Sequence, residues 1–269
     1  MRKARRTVRE QLRACDVVLE VLDARIPCTS RNPDLNTLLG GKPRVVVLNK
    51  ADLADRAATH RWVRILDAGG HPAVPVCALD GTGVPDLVRR VRRVLEVAGS
   101  VAGGRTPRAM VVGIPNVGKS ALINALAGRR VAATGRRPGI TRGKQWVRVG
   151  PYFELLDTPG ILWPRLGDAE VGFKLAAVGA VKEEVLPVRE AALWLVEWLR
   201  RHYPVSLEAR YGAAHIPGAE MLQYVARRRG FLLPGGQPDE DRAARAVLKD
   251  FREGQLGLVT LDLPDAVGE

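Results

Sequence analysis

Gly113-Ile114-Pro115-Asn116-Val117-Gly118-Lys119-Ser120 is a glycine-bounded stretch that ends in Lys-Ser. Its chemistry would be phosphate binding. The glycines let backbone N–H groups curl around phosphate oxygens with no Cβ in the way. On this reading the N–H groups from Asn116 through Val117, Gly118, Lys119, Ser120 and Ala121 line the phosphates. Lys119 reaches the β- and γ-phosphates, and the Ser120 hydroxyl binds Mg²⁺. A helix starting at the loop's end would add unpaired N–H donors and a partial positive charge.

Other short stretches supply the rest of a nucleotide site. Asn49-Lys50-Ala51-Asp52 follows an apolar run. A carboxylate at Asp52 can accept from both N1–H and the exocyclic amine of guanine, a donor pair that adenine lacks. Asn49 would brace the loop and the base edge, and the Lys50 stem would cover the ring. In Cys77-Ala78 the Ala78 N–H would meet guanine O6; alone, this stretch is equally a strand-to-helix loop. Asp157-Thr158-Pro159-Gly160 suits the γ-phosphate side, with Asp157 on Mg²⁺ through a water and the Gly160 N–H on the γ-phosphate. Thr141 is a candidate switch threonine that binds Mg²⁺ and closes on the γ-phosphate, or else an ordinary loop threonine. Lys119, Thr141 and Gly160 are thus the residues expected to act at the transferred phosphate.

The elements that must hold these residues are legible. Ala109–Val112 reads as a buried strand before the phosphate loop, and Ala121–Leu126 as a helix after it, the context such a loop requires. Asp16–Leu22, Arg44–Leu48, Ala73–Ala78, Trp146–Val149 and Tyr152–Leu156 read as further strands. Arg2–Arg13, Leu35–Leu39, Asp55–Ala68 and Val84–Val97 read as helices. Beyond Gly167 the strand signals stop, and Ala169–Lys182, Val188–His202, Leu207–Tyr211, Gly218–Arg229 and Glu240–Glu253 read as helices. The pattern is an α/β domain over residues 1–175, a mostly parallel sheet flanked by helices, followed by a small all-α domain over 176–269. The motifs run base-reading first, then phosphate loop, switch threonine and Asp157–Gly160. That order is a circular permutation of a G domain, and the Gly-rich segment Ala98–Arg108 lies where the original ends would be rejoined.

Composition agrees with this and adds a partner class. The 269 residues are 46% hydrophobic and 26% charged, as in a globular protein with a real core. No apolar run approaches a membrane span, and no export signal follows the basic N-terminus. Cys15, Cys28 and Cys77 form no metal spacing and fit a reducing cytosol. A net charge of +13 and a pI near 10.4 favour polyanions, nucleic acid first. In the tail, Arg227, Arg228, Arg229, Arg242, Arg245, Lys249 and Arg252 are phosphate contacts or a solvated face. Trp194 and Trp198, four apart on one helix face, read as core packing.

The permuted order resembles the bacterial ribosome biogenesis GTPase A family, also called YlqF. So do Gly113–Ser120, Arg137-Pro138-Gly139-Ile140-Thr141 and Leu155–Pro164, and Asp23-Ala24-Arg25-Ile26-Pro27 with Ser30-Arg31-Asn32-Pro33 match it too. The resemblance spans essentially the whole chain. It implies a cytoplasmic GTPase acting late in assembly of the large ribosomal subunit, with a C-terminal helical domain on ribosomal RNA. The alternatives are a non-catalytic, GTP-dependent RNA-binding scaffold and a permuted GTPase acting on another RNA. Family members typically begin with a segment ending Pro-Gly-His-Met-Ala-Lys-Ala, whose histidine is implicated in hydrolysis. Here the sequence opens at Met1-Arg2-Lys3-Ala4, which reads as a start assigned downstream of the true one. Ile161 stands where many small GTPases place a water-orienting glutamine, and His60, His71, His202 and His215 lie away from the γ-phosphate. Slow intrinsic hydrolysis activated by the ribosome is the expectation. In related GTPases an asparagine at the position of Asn116 accompanies potassium activation, which makes Asn116 the candidate ligand for K⁺ as an extra charge stabiliser.

Overall fold

Strand β1 (Val17–Asp23) is buried at all seven positions, as a strand covered on both faces and paired on both sides must be. The computed structural model describes residues 12–33, 35–100, 105–128, 145–157, 168–181 and 187–264. Beside β1 lie β2 (Arg44–Asn49) and β3 (Ala73–Val76) on one side, and β4 (Arg108–Val112), β6 (Phe153–Asp157) and β5 (Gln145–Val149) on the other. Only the β5–β6 pair is antiparallel. The chain runs outward from β1 through β2 to β3, then crosses back to β4 at the other flank of β1. That reversal is a topological switch point, where open α/β sheets bind ligands beyond the strand C-termini. The register pairs Asp23 with Asn49, and Asn49 with Val76, so three strand ends finish level.

Helices α1 (Leu35–Leu39), α2 (Arg56–Ala68), α3 (Val84–Val97) and α4 (Lys119–Ala127) belong to the same unit. The α2 start is capped by the Asp55 side chain, which accepts from the Ala58 N–H at 2.8 Å. Leu87, Val91 and Leu95 make the buried stripe of α3, while its arginines face outward. Contacts divide the chain after Pro164, and residues from Asp262 onward rejoin the first unit. There the Asp262 carboxylate accepts from Thr29 N–H and Oγ1 at 2.7 and 2.9 Å, and its carbonyl accepts from Trp62 Nε1 at 2.8 Å. The domain boundary expected after residue 175 falls inside a helix of the second unit.

That unit holds α5 (Ala169–Ala177), α6 (Val188–His202), α7 (Pro204–Tyr211), α8 (Gly218–Arg228) and α9 (Glu240–Arg252). Helix α6 packs against the other four, burying Ala191, Ala192, Leu195, Val196 and Leu199. Helix α5 stops at Ala177 instead of running to Lys182. Gly179 takes a φ of 74°, and the N–H groups of Gly179 and Ala180 return to Ala176 and Leu175. This closing motif ends a helix because the left-handed residue cannot continue it. The Arg252 guanidinium completes the cap by donating to Ala176 and Ala177 carbonyls at 2.7 and 3.2 Å. Helix α7 begins earlier than read, at Pro204, whose fixed φ suits a first helical position. Trp194 and Trp198 lie half-buried between Phe173 and Tyr203, with ring centroids 5.6–6.4 Å apart, as packing residues do.

Most of the basic helix expected at Arg2–Arg13 lies outside the described residues, as do residues 101–104 of the Gly-rich segment.

Candidate functional site

Three loops meet beyond the strand ends, and Asn49 ties them together. Its side chain is buried, with Nδ2 donating to the Val117 carbonyl at 2.8 Å and Oδ1 accepting from the Ala78 N–H at 3.1 Å. One amide therefore braces the phosphate loop against the loop after β3. The Ala78 N–H, expected on guanine O6, is held by this brace. Gly118 packs against the same amide. A Cβ there would sit 2.2 Å from Asn49 Nδ2, and its φ of 93° disfavours any side chain. Glycine at this position is thus a condition of the brace.

Lys119 and Ser120 open α4, whose first-turn N–H groups have no partner within the helix. The Lys119 ammonium folds over the loop and donates to the Ile114 carbonyl at 2.6 Å. Asn116 is held at a φ of 61°, in the left-handed region, with its carbonyl accepting from Lys50 Nζ at 2.7 Å. The arrangement offers amides, a helix N-terminus and a lysine to an anion, the donor set for phosphates.

Lys50 does more than cover a ring. It also takes a left-handed conformation, φ 60°, and its ammonium donates to Asp23 Oδ2 at 2.9 Å. Asp23 and Arg25 are both fully buried, and Arg25 forks onto the carboxylate from Nε at 2.9 Å and NH2 at 2.8 Å. Burial alone would raise the Asp23 carboxyl, but Arg25 and Lys50 outweigh it and hold the group ionised far below the usual carboxylate range. Burial lowers the Lys50 ammonium, while Asp23 works against that fall. In sequence, Asp23 and Arg25 stand out only within the family resemblance, which assigns them no contact. The available signal is a carboxylate ending a strand that is apolar but for Glu20, with an arginine two residues on.

Asp52 is exposed, on the single 3₁₀ turn Ala51–Leu53, and is free to meet a ligand edge. The Cys77 thiol sits beside it. Burial, aided by a hydrogen bond to the Asp52 carboxylate, pushes that thiol up to about 11. At neutral pH it is therefore protonated. A carboxylate so placed can take two N–H donors from one side of a planar base.

Thr141, Gly160 and Ile161 lie outside the described residues. Asp157 ends β6, paired with Gln145, but its side chain lies outside them as well. Mg²⁺ is tested on the donor set. Among the described residues no three His, Cys, Asp or Glu side chains cluster. A lone Ser120 hydroxyl beside a phosphate cradle is what Mg²⁺ needs when phosphates and waters supply most ligands. The residues fit it.

The tail arginines divide. Arg245 and Lys249 are exposed on α9, without an ion pair among the described residues, and Arg227 is exposed on α8. Arg228 donates to the Tyr224 hydroxyl at 2.9 Å. Arg229, expected on RNA, is bound to Asp250 at 2.5 Å and lies over the Tyr211 ring. Arg252 caps α5. These last two are accounted for by packing within their own unit.

A model of the 50S ribosome-binding GTPase family matches residues 108–206. The match opens on the first residue of β4, so the loops carrying Asn49–Asp52 and Cys77–Ala78 precede it, as a permuted order requires. The chain is 43% identical over 276 residues to ribosome biogenesis GTPase A of Bacillus cereus, covering 100% of this chain and 93% of that protein. It is 36% identical to mitochondrial ribosome-associated GTPase 1 of Mus musculus, over 97% of this chain and 88% of that one. Among solved structures, GNP-bound YlqF from T. maritima aligns with a TM-score of 0.70 at 28% identity, covering 98% and 99% of the two chains.

Proposed function

Because this chain belongs to the ribosome biogenesis GTPase A family, we propose that it hydrolyses GTP as an assembly factor for the large (50S) ribosomal subunit. It acts late in maturation, in the cytoplasm, and binds the subunit precursor and its rRNA in the GTP state. One observation carries the nucleotide half of this reading. Asn49 bonds both to the phosphate loop, 68 residues away in sequence, and to the Ala78 loop. The base-reading and phosphate-binding motifs therefore form one site despite their permuted order. The names of the relatives support the ribosomal half.

In that site Asp52 accepts from guanine N1–H and the exocyclic amine, and Asn49 fixes the loop beneath it. Lys119, Ser120 and the surrounding amides bind the phosphates, with Thr141 and Gly160 closing on the γ-phosphate. Ser120, with Thr141 and Asp157, would hold Mg²⁺, which would supply charge neutralisation for the phosphates. Asn116 would be a ligand for K⁺. Ile161 cannot orient water, so hydrolysis is slow until the assembling subunit completes the site. The test is multiple-turnover phosphate release with and without large-subunit precursors, in K⁺ and in Na⁺ buffers. Release is expected to rise with precursors and to be faster in K⁺. Equal rates with and without precursors overturn activation by the ribosome, and equal rates in the two salts overturn the K⁺ assignment.

The basic face of α9 is the RNA contact. Phosphate contacts release counterions, so each arginine or lysine removed lowers the salt slope of binding by about one. R245A/K249A is expected to weaken binding to precursor subunits, to flatten its salt dependence by roughly two, and to leave nucleotide binding unchanged. An unaltered slope moves the contact elsewhere. Filter binding to precursor subunits with GDP and with a GTP analogue is expected to show tighter binding with the analogue, since a ligand shifts only what it binds differentially.

A further inference from the structure

The Asp23 carboxylate is the one fully buried acid at the strand ends among the described residues, and four donors meet it. Arg25 contributes its backbone N–H at 3.1 Å, its Nε and its NH2; Lys50 contributes its ammonium. That ammonium makes a second bond, to the carbonyl of Asn116. A continuous line thus runs from the end of β1, through Lys50, into the phosphate loop. Lys50, midway along it, and Asn116, at its end, both hold left-handed backbones that a non-glycine residue adopts only against strain. Such conformations persist only where surrounding contacts impose them.

We propose that Asp23 is a positioning residue for the nucleotide, acting through Lys50 to hold the Asn116–Val117 segment of the phosphate loop in its binding conformation. The proposal rests on the reading of this site as a guanine-nucleotide site. Its physical content is a division of labour. Asn49 fixes the loop at the Val117 carbonyl by a neutral hydrogen bond, and Lys50 fixes it one residue earlier by a charged one. A charge-assisted bond is the stronger of the two, but a partly buried ammonium holds its place best with a counter-charge. Asp23 is that counter-charge. Arg25 satisfies the other lone pairs of the carboxylate and keeps it aimed at Lys50. The register that sets Asp23 directly beside Asn49 in the sheet places both anchors under one loop.

The experiment is a double-mutant cycle on nucleotide affinity with D23N, K50Q and D23N/K50Q, read by titration of a fluorescent GDP. Wild-type chain that binds no GDP sinks the guanine reading and this proposal with it, whereas wild-type binding with the variant outcomes below tests the role of Asp23 alone. D23N is expected to weaken GDP and a GTP analogue by about tenfold each. D23N/K50Q is expected to be no weaker than K50Q, because Asp23 has nothing left to act through. Additive losses mean that Asp23 serves the fold alone and overturn the proposal, as does wild-type affinity in D23N. D23N takes the Asp23 carboxylate away from the buried Arg25 guanidinium, so the cycle is repeated as D23N/R25Q with and without K50Q. That neutral pair removes both charges at similar volume, and the same non-additivity is expected.

Discussion

D52N is expected to lower GDP affinity by roughly 10⁴-fold and to create binding of the xanthine nucleotide XDP. The argument rests on hydrogen-bond polarity. A site built to pair with polar groups rejects a ligand that leaves them unpaired by about 10⁴ or more. The Asp52 carboxylate offers two acceptors, and guanine offers two adjacent donors. Asparagine replaces one acceptor with an NH₂ group, which then faces the guanine amine, donor against donor. Xanthine carries a carbonyl in place of that amine and so meets the new donor. The Asp52 side chain is exposed on the short 3₁₀ turn, so the substitution alters the ligand edge and little else. Parallel titrations with fluorescent GDP and XDP measure both arms. GDP affinity within a few-fold of wild type would show that Asp52 does not read the base.

Much of this site is legible in sequence because its parts are local. A glycine-bounded loop ending in Lys119-Ser120 needs only its own strand and helix to be recognised. Asn49-Lys50-Ala51-Asp52 needs only a strand ahead of it. The same locality limits what such reading assigns. Lys50 reads as a cover for the ring, yet its ammonium is set by Asp23, 27 residues earlier, and by a carbonyl 66 residues later. No tetrapeptide encodes those partners; the sheet order brings them together. Ala78 likewise reads as a free N–H donor, and only the register of β2 with β3 shows Asn49 accepting from it. Helix ends fail for a related reason. The apolar periodicity of α5 continues past Ala177, and what stops it is one glycine and an arginine from α9. In the tail, arginine after arginine looks equivalent in a basic sequence, and burial of one acid, Asp250, separates Arg229 from Arg245.

That acid sets the second large effect. D250A is expected to destabilise the helical unit by about 3 kcal/mol. Asp250 is buried on α9 and accepts from Arg210 Nε at 2.9 Å, the Tyr211 hydroxyl at 2.8 Å and Arg229 NH2. It therefore pins α7 and the end of α8 to α9. Removing it strands the buried Tyr211 hydroxyl and leaves two cations facing each other. The arginines are 32% and 27% exposed and regain water, which keeps the loss below that of a wholly buried triad. Burial alone would raise the Asp250 carboxyl, but hydrogen bonds from Arg210 and Tyr211 and the charge of Arg229 bring it below the ordinary range. The sign follows from linkage. Its contribution is complete above the unfolded-state value of about 3.9 and is lost as pH falls through the lower folded one. The wild-type unit should thus lose stability below about pH 4, and D250A should lack that component. Hydrogen exchange reads this locally, with faster exchange over α7–α9 while β1, β2 and β4 stay protected. Equal protection in the variant would overturn the pin. The same measurement sorts the basic tail by function, since R229A should resemble D250A in exchange, whereas R245A/K249A should lose subunit binding with protection intact.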